Sequence, residues 1–259
     1  MIKSLTNFDQ QCCQKIKLVA TDFDGTVTEN GQLTAQAIEA ISQLHMAGIQ
    51  VIIVTGRSAG WVNALRQYLP IAGAIAENGG VYYSDPDTFP HFLVSLPPLA
   101  EHRKQLANLF QQLCSCFPHL QESPDNSFRF TDWTFDVAGL SFEALTELAQ
   151  QCQQQGYSFT YSSVQCHIKP QAQDKAQGLQ MVLKQYFPDL SAEQMLTVGD
   201  SPNDESLFNP ELFPLSVGVA NIQHYWQKIS HPPQYVTQTG EGQGFSELAQ
   251  HLIANQTCR

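Results

Sequence analysis

Two aspartates separated by one residue follow a short apolar run near the start of the chain. The run covers residues 16–20, and Asp22 and Asp24 lie in the sequence Asp-Phe-Asp-Gly-Thr at residues 22–26. Two carboxylates at one strand end can bind a hard cation, and one can act as a nucleophile while the other moves protons. A plain turn is the simpler interpretation, because Asp and Gly both favour turns. These five residues alone do not decide between the two.

A second apolar run also ends in groups that suit a reactive site. Residues 51–54 are followed by Thr55, Gly56 and Arg57. A hydroxyl, a backbone N–H and a guanidinium are the donors that a phosphate oxygen needs. For Thr55 alone, a cap of the following helix is a credible alternative.

Two later segments add a cation and further acids. Lys175 begins a predicted helix, where an ammonium group is unfavourable for the helix but well placed for an anion. A solvated surface lysine is the simpler alternative, and Lys169 is a rival for the same role. Asp200 ends a predicted strand, and Asp204 begins the next helix, where it could be no more than a cap. Beside Asp22 and Asp24, Asp200 would complete an oxygen site suited to magnesium, since clustered acids need a cation to offset their repulsion.

The elements that must position these groups alternate between strands and helices in the first and last thirds of the chain. Strands joined by single helices indicate a parallel sheet with right-handed crossovers. The predicted strands are residues 16–22, 49–55, 72–76, 195–199 and 215–219, and the predicted helices are residues 34–46, 58–68, 175–186, 203–208, 222–229 and 245–253.

The middle of the chain has a different pattern. Residues 99–117 and 142–154 are predicted helices, whereas residues 128–137 and 157–168 resemble strands. Helices and strands in this arrangement indicate an inserted α+β unit. Farther along, the glycine-rich residues 240–244 suit either a flexible loop near the active site or a simple connector.

The composition argues against several classes of function. A net charge of −11 over 259 residues opposes generic binding to nucleic acid or to an anionic membrane. No apolar stretch has the length of a signal peptide core or a membrane-spanning helix. The seven cysteines include no Cys-x-x-Cys spacing, so a disulfide framework or a zinc site is not expected. We therefore expect a cytoplasmic protein with reduced thiols.

The four segments match, in order, the motifs of the haloacid dehalogenase-like (HAD) superfamily of phosphotransferases, which the chain resembles. The match covers residues 22–26, Thr55 within Val-Thr-Gly-Arg, Lys175, and residues 199–204. The four motifs occur in the order found in the superfamily, and each lies at the end of a predicted strand or the start of a predicted helix. Such a combination is specific evidence for the resemblance. Within this superfamily, the chain resembles the Cof-like branch, which includes sucrose-phosphate, trehalose-phosphate and mannosylphosphoglycerate phosphatases. The features that carry this resemblance are the Thr-Gly-Arg form of the second motif, the sequence Glu-Asn-Gly-Gly at residues 77–80, and the insertion between the second and third motifs. Ala176 replaces a glycine often found after the motif lysine.

The resemblance implies an α/β fold with two parts. A Rossmann-like parallel sheet core with helices on both faces would comprise residues 14–84 and 171–259. A smaller inserted α+β cap would comprise residues 85–170, and residues 1–13, with the pair Cys12-Cys13, would form an N-terminal tail.

The resemblance also implies roles for individual residues. Asp22 would be the nucleophile, and Asp24 would be the general acid and base. The catalytic residues that would hold phosphate oxygens are Thr55 and Lys175. The substrate-binding residues would be Gly56, Arg57, Asn78 and Asn203. The ligands of Mg²⁺ would be the Asp22 carboxylate, the Asp24 backbone carbonyl, Asp200 and Asp204.

The cap is expected to choose the substrate, because a sugar site needs polar groups and an aromatic face. The candidates are Arg129, Asp132, Trp133 and His167. A structural role is at least as credible for each of them. Trp133 would then lie in the core, Arg129 and Asp132 would form a cross-strand pair, and His167 would be a satisfied strand residue.

The expected function is a magnesium-dependent phosphatase that acts on a small phosphorylated metabolite through an aspartyl-phosphate intermediate, with a sugar phosphate as the favoured substrate. A phosphomannomutase-like phosphotransferase is the nearest alternative. A non-catalytic binding or regulatory protein on the same scaffold is a further alternative, but such a protein is expected to lack one of the two motif aspartates. No nucleic acid or membrane is expected as a partner, and the oligomeric state stays open.

Overall fold

The computed structural model describes residues 2–84, 89–162 and 164–256 of the chain. The strands within these ranges are β1 (Lys3–Ser4), β2 (Leu18–Thr21), β3 (Gln50–Val54), β4 (Gly73–Ala76), β5 (Val81–Tyr83), β6 (His91–Phe92), β7 (Trp133–Asp136), β8 (Tyr157–Tyr161), β9 (Gln165–Pro170), β10 (Met195–Gly199), β11 (Ser216–Gly218) and β12 (Tyr235–Val236). The α-helices are α1 (Gln10–Lys15), α2 (Ala35–Met46), α3 (Ala59–Leu65), α4 (Leu99–Cys116), α5 (Phe142–Gln154), α6 (Lys175–Tyr186) and α7 (Glu241–Ala254). The 3-10 helices are Leu5–Asn7, Pro124–Phe128, Ala192–Gln194, Pro202–Phe208 and Ala220–Lys228.

The larger sheet has β2 near its centre and the strand order β1-β12-β11-β10-β2-β3-β4-β5-β6. The first seven strands of this order, from β1 at one edge through to β4, pair in parallel with their neighbours. The last two strands pair antiparallel, β5 with β4 and β6 with β5. The chain continues from β2 to β3 on one side, and β10 lies on the other side. The strand order therefore reverses at β2, and ligands of such sheets bind outside the carboxyl ends of the strands at this point.

Helices cover both faces of the larger sheet. Because side chains alternate along a strand, Val19 and Ile53 face one apolar layer, which includes α2, α3 and α7. Leu18 and Ile52 face the opposite layer, which includes α6. The central strands are apolar on both faces, as parallel strands between two helix layers require. The predicted α/β fold class is confirmed.

The chain between β6 and α6 forms a smaller unit, which we call the cap. Its antiparallel sheet has the order β7-β9-β8. Helices α4 and α5 pack on one face of this sheet, where Leu106, Leu148, Cys166 and Ile168 are buried together. The alternate residues of the middle strand β9, including His167, therefore face away from the cap helices.

The boundaries of the predicted domains differ from the observed elements in two places. Residues 1–13 were expected to form a tail, but β1 extends the larger sheet by pairing with β12, and α1 follows it. Leu5, Phe8 and Cys13 are buried in the core of that sheet. Strand β6 was assigned to the cap but pairs with β5. These elements are too short to show a periodic apolar pattern, and residues 85–88 lie outside the described part. The division into core and cap at residues 85 and 170 stays a prediction.

Several other elements differ from the sequence predictions in extent. Of the strand-like residues 128–137, only the four of β7 form a strand. The glycine-rich residues 240–244 are neither a flexible loop nor a connector, because Gly240 caps α7 and the next residues form its first turn. A Cβ atom on Gly242 would lie 2.7 Å from the carbonyl oxygen of Val27, so glycine allows this close packing. In the described ranges, no helix is both long and apolar enough to cross a membrane.

Candidate active site

Three buried aspartates converge beyond the carboxyl ends of β2 and β10. Asp22 directly follows β2, Asp200 directly follows β10, and Asp204 lies in the 3-10 helix Pro202–Phe208. One carboxylate oxygen from each lies within 4.8 Å of the others. Their exposed fractions are 6%, 8% and 0%, respectively. The register explains the convergence, since Thr21 pairs with Val198 and the two strands therefore end side by side.

Lys175 is the cation that contacts this cluster. Its Nζ donates to Oδ1 of Asp22 at 2.6 Å and to Oδ1 of Asp204 at 2.7 Å. Burial alone would lower the pKa of Lys175, but the two carboxylates outweigh burial and raise this pKa. The rival Lys169 donates instead to the backbone carbonyl of Gln173. The structure therefore places Lys175, and not Lys169, among the aspartates.

The cluster carries more negative charge than Lys175 compensates. Three carboxylates and one ammonium leave a net charge of about −2 when all are ionised. Burial, followed by the charge of Asp204, raises the pKa of Asp22 to about 7, although Lys175 opposes this effect. Burial and the charges of Asp204 and Asp22 also raise the pKa of Asp200 well above its ordinary value. A hard divalent cation with oxygen ligands fits both the charge and the donor set.

Asp204 also holds the turn that follows β10. Its Oδ2 accepts the backbone N–H of Asp200 at 3.0 Å and that of Ser201 at 3.2 Å. Asp204 thus makes the capping contacts expected from the sequence, and it also lies in the acidic cluster. A Cβ atom on Gly199 would lie 2.5 Å from Cβ of Asp204, so this approach requires glycine.

Two further residues fix the Asp200 carboxylate. Thr26 donates its hydroxyl to Oδ1 at 3.3 Å, and Asn221 donates Nδ2 to Oδ2 at 2.8 Å. Asn221 also donates to the backbone carbonyl of Gly25 at 3.0 Å, which links the loops after β2 and β11. Sequence reasoning missed Asn221. Its position could have indicated a site residue, because Asn221 follows β11 by three residues, just as other polar site residues closely follow β2, β3 and β10.

Asp24 has a different cationic partner from Asp22. Arg57 donates Nε to Oδ2 of Asp24 at 2.8 Å and NH2 to Oδ1 at 2.6 Å. The guanidinium also lies 5.2 Å from the centre of the Trp61 ring. The hydrogen bonds to Asp24 raise the pKa of Arg57. Two parallel hydrogen bonds restrict the Asp24 carboxylate to one orientation beside the cluster.

The other predicted substrate-binding residues lie at the base of the cap. Asn203 donates Nδ2 to Oδ1 of Asn78 at 3.0 Å and accepts the hydroxyl of Thr160, on β8, at 3.2 Å. The backbone N–H of Asn78 is bonded to the carbonyl of Thr55 at 3.0 Å. These contacts place Asn78 behind Asn203, where it lines an adjoining cavity together with Lys175.

A narrow cavity of about 40 Å³ lies between the aspartates and the cap. The core lines it with Asp22, Asp24, Thr55, Gly56, Arg57, Asp200, Ser201 and Asn203, and the cap lines it with Ser162, Val164, Gln165 and His167. Ser162, Val164 and Gln165 lie where β8 turns into β9, and no sequence motif marked them. The volume accommodates a few water molecules or a very small group.

Of the four cap candidates, only His167 lines this cavity. Arg129 and Asp132 are buried behind it as an ion pair three residues apart, which precedes β7 and is not a cross-strand pair. Trp133 packs in the cap core, 6.2 Å from the Phe110 ring. Glu77, which is fully buried, accepts the backbone N–H groups of Phe130 and Thr131 and thereby attaches this segment to the core.

Three proteins illustrate what the chain is similar to. A phosphoglycolate phosphatase of Thermoplasma volcanium is 27% identical over 92% of this chain and 98% of its own length. A solved structure from Thermoplasma acidophilum has a TM-score of 0.74 at 22% identity and covers 92% of this chain and 98% of its own. The Synechocystis sucrose-phosphatase, solved with sucrose and phosphate, has a TM-score of 0.67 at 17% identity, with 92% and 98% coverage.

The family is shown by a broader match. A sequence profile of the haloacid dehalogenase-like hydrolases covers residues 19–117 and 118–246, which include each of the predicted motifs. The resemblance derived from the sequence is therefore confirmed. With its buried aspartates at the reversal point of a parallel sheet, this chain belongs to the haloacid dehalogenase-like hydrolase family.

Proposed function

We propose that this protein is a magnesium-dependent phosphatase that hydrolyses a small phosphate monoester through an aspartyl-phosphate on Asp22. The observation that carries the proposal is that the neighbouring carboxylates of Asp22 and Asp24 have different hydrogen-bond partners. Asp22 is bonded to Lys175 inside the acidic cluster, whereas Asp24 is bonded to Arg57 beside it. Two acids with different surroundings can take different roles in one reaction.

Asp22 is the proposed nucleophile. Lys175 holds Oδ1, and Oδ2 has no hydrogen-bond partner in the described part of the chain. Asp22 lines the cavity, so this free oxygen is available to a phosphorus atom there. Attack forms the Asp22–phosphorus bond and breaks the bond between phosphorus and the leaving alcohol oxygen.

Asp24 is the proposed acid and base. In its protonated form, Asp24 gives its proton to the leaving alcohol oxygen. The resulting carboxylate then takes a proton from the water that attacks the aspartyl-phosphate, which restores the acid. That second step releases inorganic phosphate and returns Asp22 to its carboxylate form. Arg57 holds both oxygens of the Asp24 carboxylate through paired hydrogen bonds, and both residues line the cavity.

The remaining residues are proposed to bind charge. Thr55, Gly56 and Asn203 line the cavity beside Asp22 and can donate hydrogen bonds to phosphate oxygens. Asp22, Asp200 and Asp204, together with the Asp24 backbone carbonyl, would hold Mg²⁺, which neutralises negative charge on the transferring phosphoryl group when bound.

The space for the leaving group continues beyond the aspartates. The cavity of about 40 Å³ adjoins one of about 370 Å³, and Asn203 lines both. Relatives such as the Thermoplasma volcanium protein are named phosphoglycolate phosphatases, which supports a two-carbon phosphate as a first candidate. The sugar phosphate expected from the sequence remains a prediction, supported by the likeness to a sucrose-phosphatase fold.

The proposal is tested by release of inorganic phosphate with and without Mg²⁺. The panel contains 2-phosphoglycolate, glycerol phosphates, hexose phosphates and a nucleotide monophosphate. Asp22→Asn should lower kcat by at least about a thousandfold, since it removes the nucleophile. The matched control Asp189→Asn changes an exposed aspartate outside the site and should keep wild-type turnover. Substantial turnover by the Asp22 variant would contradict the mechanism. Phosphate transfer between sugar positions, without release, would indicate a mutase instead.

A further inference from the structure

Three buried polar side chains of the cap form a connected series that the proposed reaction does not use. We call Arg129, Asp132 and His167 the cap relay. Arg129 donates NH1 to both carboxylate oxygens of Asp132, at 2.9 and 3.0 Å, and to the carbonyl of Gly56 at 3.0 Å. Asp132 contacts Nδ1 of His167 at 2.9 Å. Their exposed fractions are 3%, 0% and 2%, so each would be costly to bury without its partners.

The relay ends at the cavity. His167 lies on β9, faces away from the cap helices and lines the same cavity as Asp22. Its Nδ1 is engaged by Asp132, while Nε2 has no hydrogen-bond partner within the described residues. A Cβ atom on Gly56 would lie 3.3 Å from Cε1 of His167, which places the ring beside the proposed phosphate-binding loop. Nε2 is therefore a polar atom left available to a ligand.

The surroundings of the ring favour a neutral imidazole. Arg129 pairs with Asp132 and also with Asp125, and the ring is buried with the positive charges of Arg129 and Lys169 nearby. Burial lowers the pKa of His167 despite the hydrogen bond to Asp132. With its single proton on Nδ1 and directed at Asp132, the ring presents a lone pair on Nε2.

We propose that Nε2 of His167 accepts a hydrogen bond from a hydroxyl group of the substrate, so that the enzyme prefers phosphate esters of hydroxylated small molecules. A substrate carboxylate at the same position has no proton to donate, so it would face the lone pair on Nε2 without forming a hydrogen bond. This inference rests on the proposed phosphatase function. Within that function it favours hydroxylated esters over 2-phosphoglycolate, the candidate that the names of the relatives support. Asp132 and Arg129 are positioning residues, since they fix the proton and the orientation of the ring.

Three esters of similar size provide the kinetic test: ethyl phosphate, 2-hydroxyethyl phosphate and 2-phosphoglycolate. The wild-type enzyme should prefer 2-hydroxyethyl phosphate over ethyl phosphate by about tenfold or more in kcat/KM, because only the former satisfies Nε2. His167→Phe keeps an aromatic ring without the acceptor and should bring this ratio near unity. The matched control His102→Phe changes a buried histidine of α4 that does not line the cavity, and it should keep the wild-type ratio.

The role of Asp132 has a separate readout. In Asp132→Asn, the amide can donate to Nδ1, which moves the ring proton to Nε2 and turns the acceptor into a donor. Preference should then shift from 2-hydroxyethyl phosphate towards 2-phosphoglycolate. A loss of folding would lower turnover of all three esters and leave their ratios unchanged, so the ratio distinguishes positioning from structural support.

Nitrogen-15 NMR of the histidine rings tests the protonation state without catalysis. The signals absent from His167→Phe identify His167, and at about neutral pH they should report a proton on Nδ1 alone. An imidazolium, a proton on Nε2, or a wild-type preference for 2-phosphoglycolate that His167→Phe abolishes would overturn the inference. No phosphate release from any ester would instead overturn the proposed function, while the NMR result would still report on the ring.

Discussion

The acidic cluster should make the metal-free fold less stable than a variant that lacks one of its charges. Asp200 faces Asp22 and Asp204, whose combined charge with Lys175 is about −1 when all are ionised. At the upper separation of 4.8 Å and an effective dielectric constant of about 20, one such unit repulsion amounts to about 3.5 kcal/mol. Asp200→Asn removes it and weakens the contacts with Thr26 or Asn221, which costs about 1 kcal/mol.

We therefore expect Asp200→Asn to raise the free energy of unfolding by about 2.5 kcal/mol at about pH 8 without divalent cations. For a chain of this size, that difference corresponds to roughly 5 °C in Tm. The pH dependence follows from Asp22 and Asp200, whose pKa values are raised in the fold. The metal-free fold binds protons more tightly than the unfolded chain, so its stability falls as the pH rises from about 4 through the pKa of Asp22, about 7. The raised pKa of Asp200 adds to this fall. The advantage of the variant should shrink towards acidic pH.

The assay is thermal unfolding of wild-type protein, Asp200→Asn and the exposed control Asp189→Asn, each with EDTA and with Mg²⁺. Mg²⁺ should stabilise the wild-type protein and the control because it offsets the clustered charge. It should have little effect on Asp200→Asn. The reasoning would be refuted if Asp200→Asn were less stable than wild type with EDTA at about pH 8, or if Mg²⁺ stabilised all three proteins equally.

Three further substitutions test separate contacts. Asn221→Ala removes the donors to Asp200 and Gly25 and should raise the Mg²⁺ concentration for half-maximal activity by about tenfold or more; an unchanged value would exclude Asn221 from positioning the ligand. Arg57→Lys keeps the charge but loses the paired hydrogen bonds to Asp24, so kcat should fall by about tenfold, and unaltered steady-state kinetics would contradict this role. Gly25 has a φ of +80°, and a Cβ atom there would lie 2.7 Å from an oxygen of Asp200. Gly25→Ala should therefore lower the free energy of unfolding, measured with denaturant, by about 1–3 kcal/mol. The matched Gly31→Ala has a φ of +74° in open space, so an equal loss there would show that the contact with Asp200 adds nothing.

Much of the core was predictable because long apolar runs end in polar motifs. Strand β10 and helices α5 and α6 have the predicted bounds, and the carboxyl ends of β2 and β10 bring Asp22 and Asp200 together, as a parallel sheet requires. The N-terminal segment was wrongly expected to be a tail because β1 has only two residues and its anchors, Leu5 and Phe8, show no period.

The cap contacts were less accessible to sequence reasoning. His167 was a candidate, but its role depends on Asp132, 35 residues earlier, and on a strand pairing that no local pattern specifies. Asn221 likewise reaches Asp200 and Gly25 only through the order of strands in the sheet. Long-range pairs of this kind depend on topology, whereas the motif spacing depends only on local sequence.

The central claim is that phosphate is transferred to Asp22 before water releases it. The direct measurement is rapid acid quench during turnover of an active ester, followed by peptide mapping of the protein by mass spectrometry. We predict phosphate on the peptide that contains Asp22, with none on the Asp22→Asn variant. Phosphate release without a phosphorylated peptide, or phosphate attached to another residue, would contradict the account.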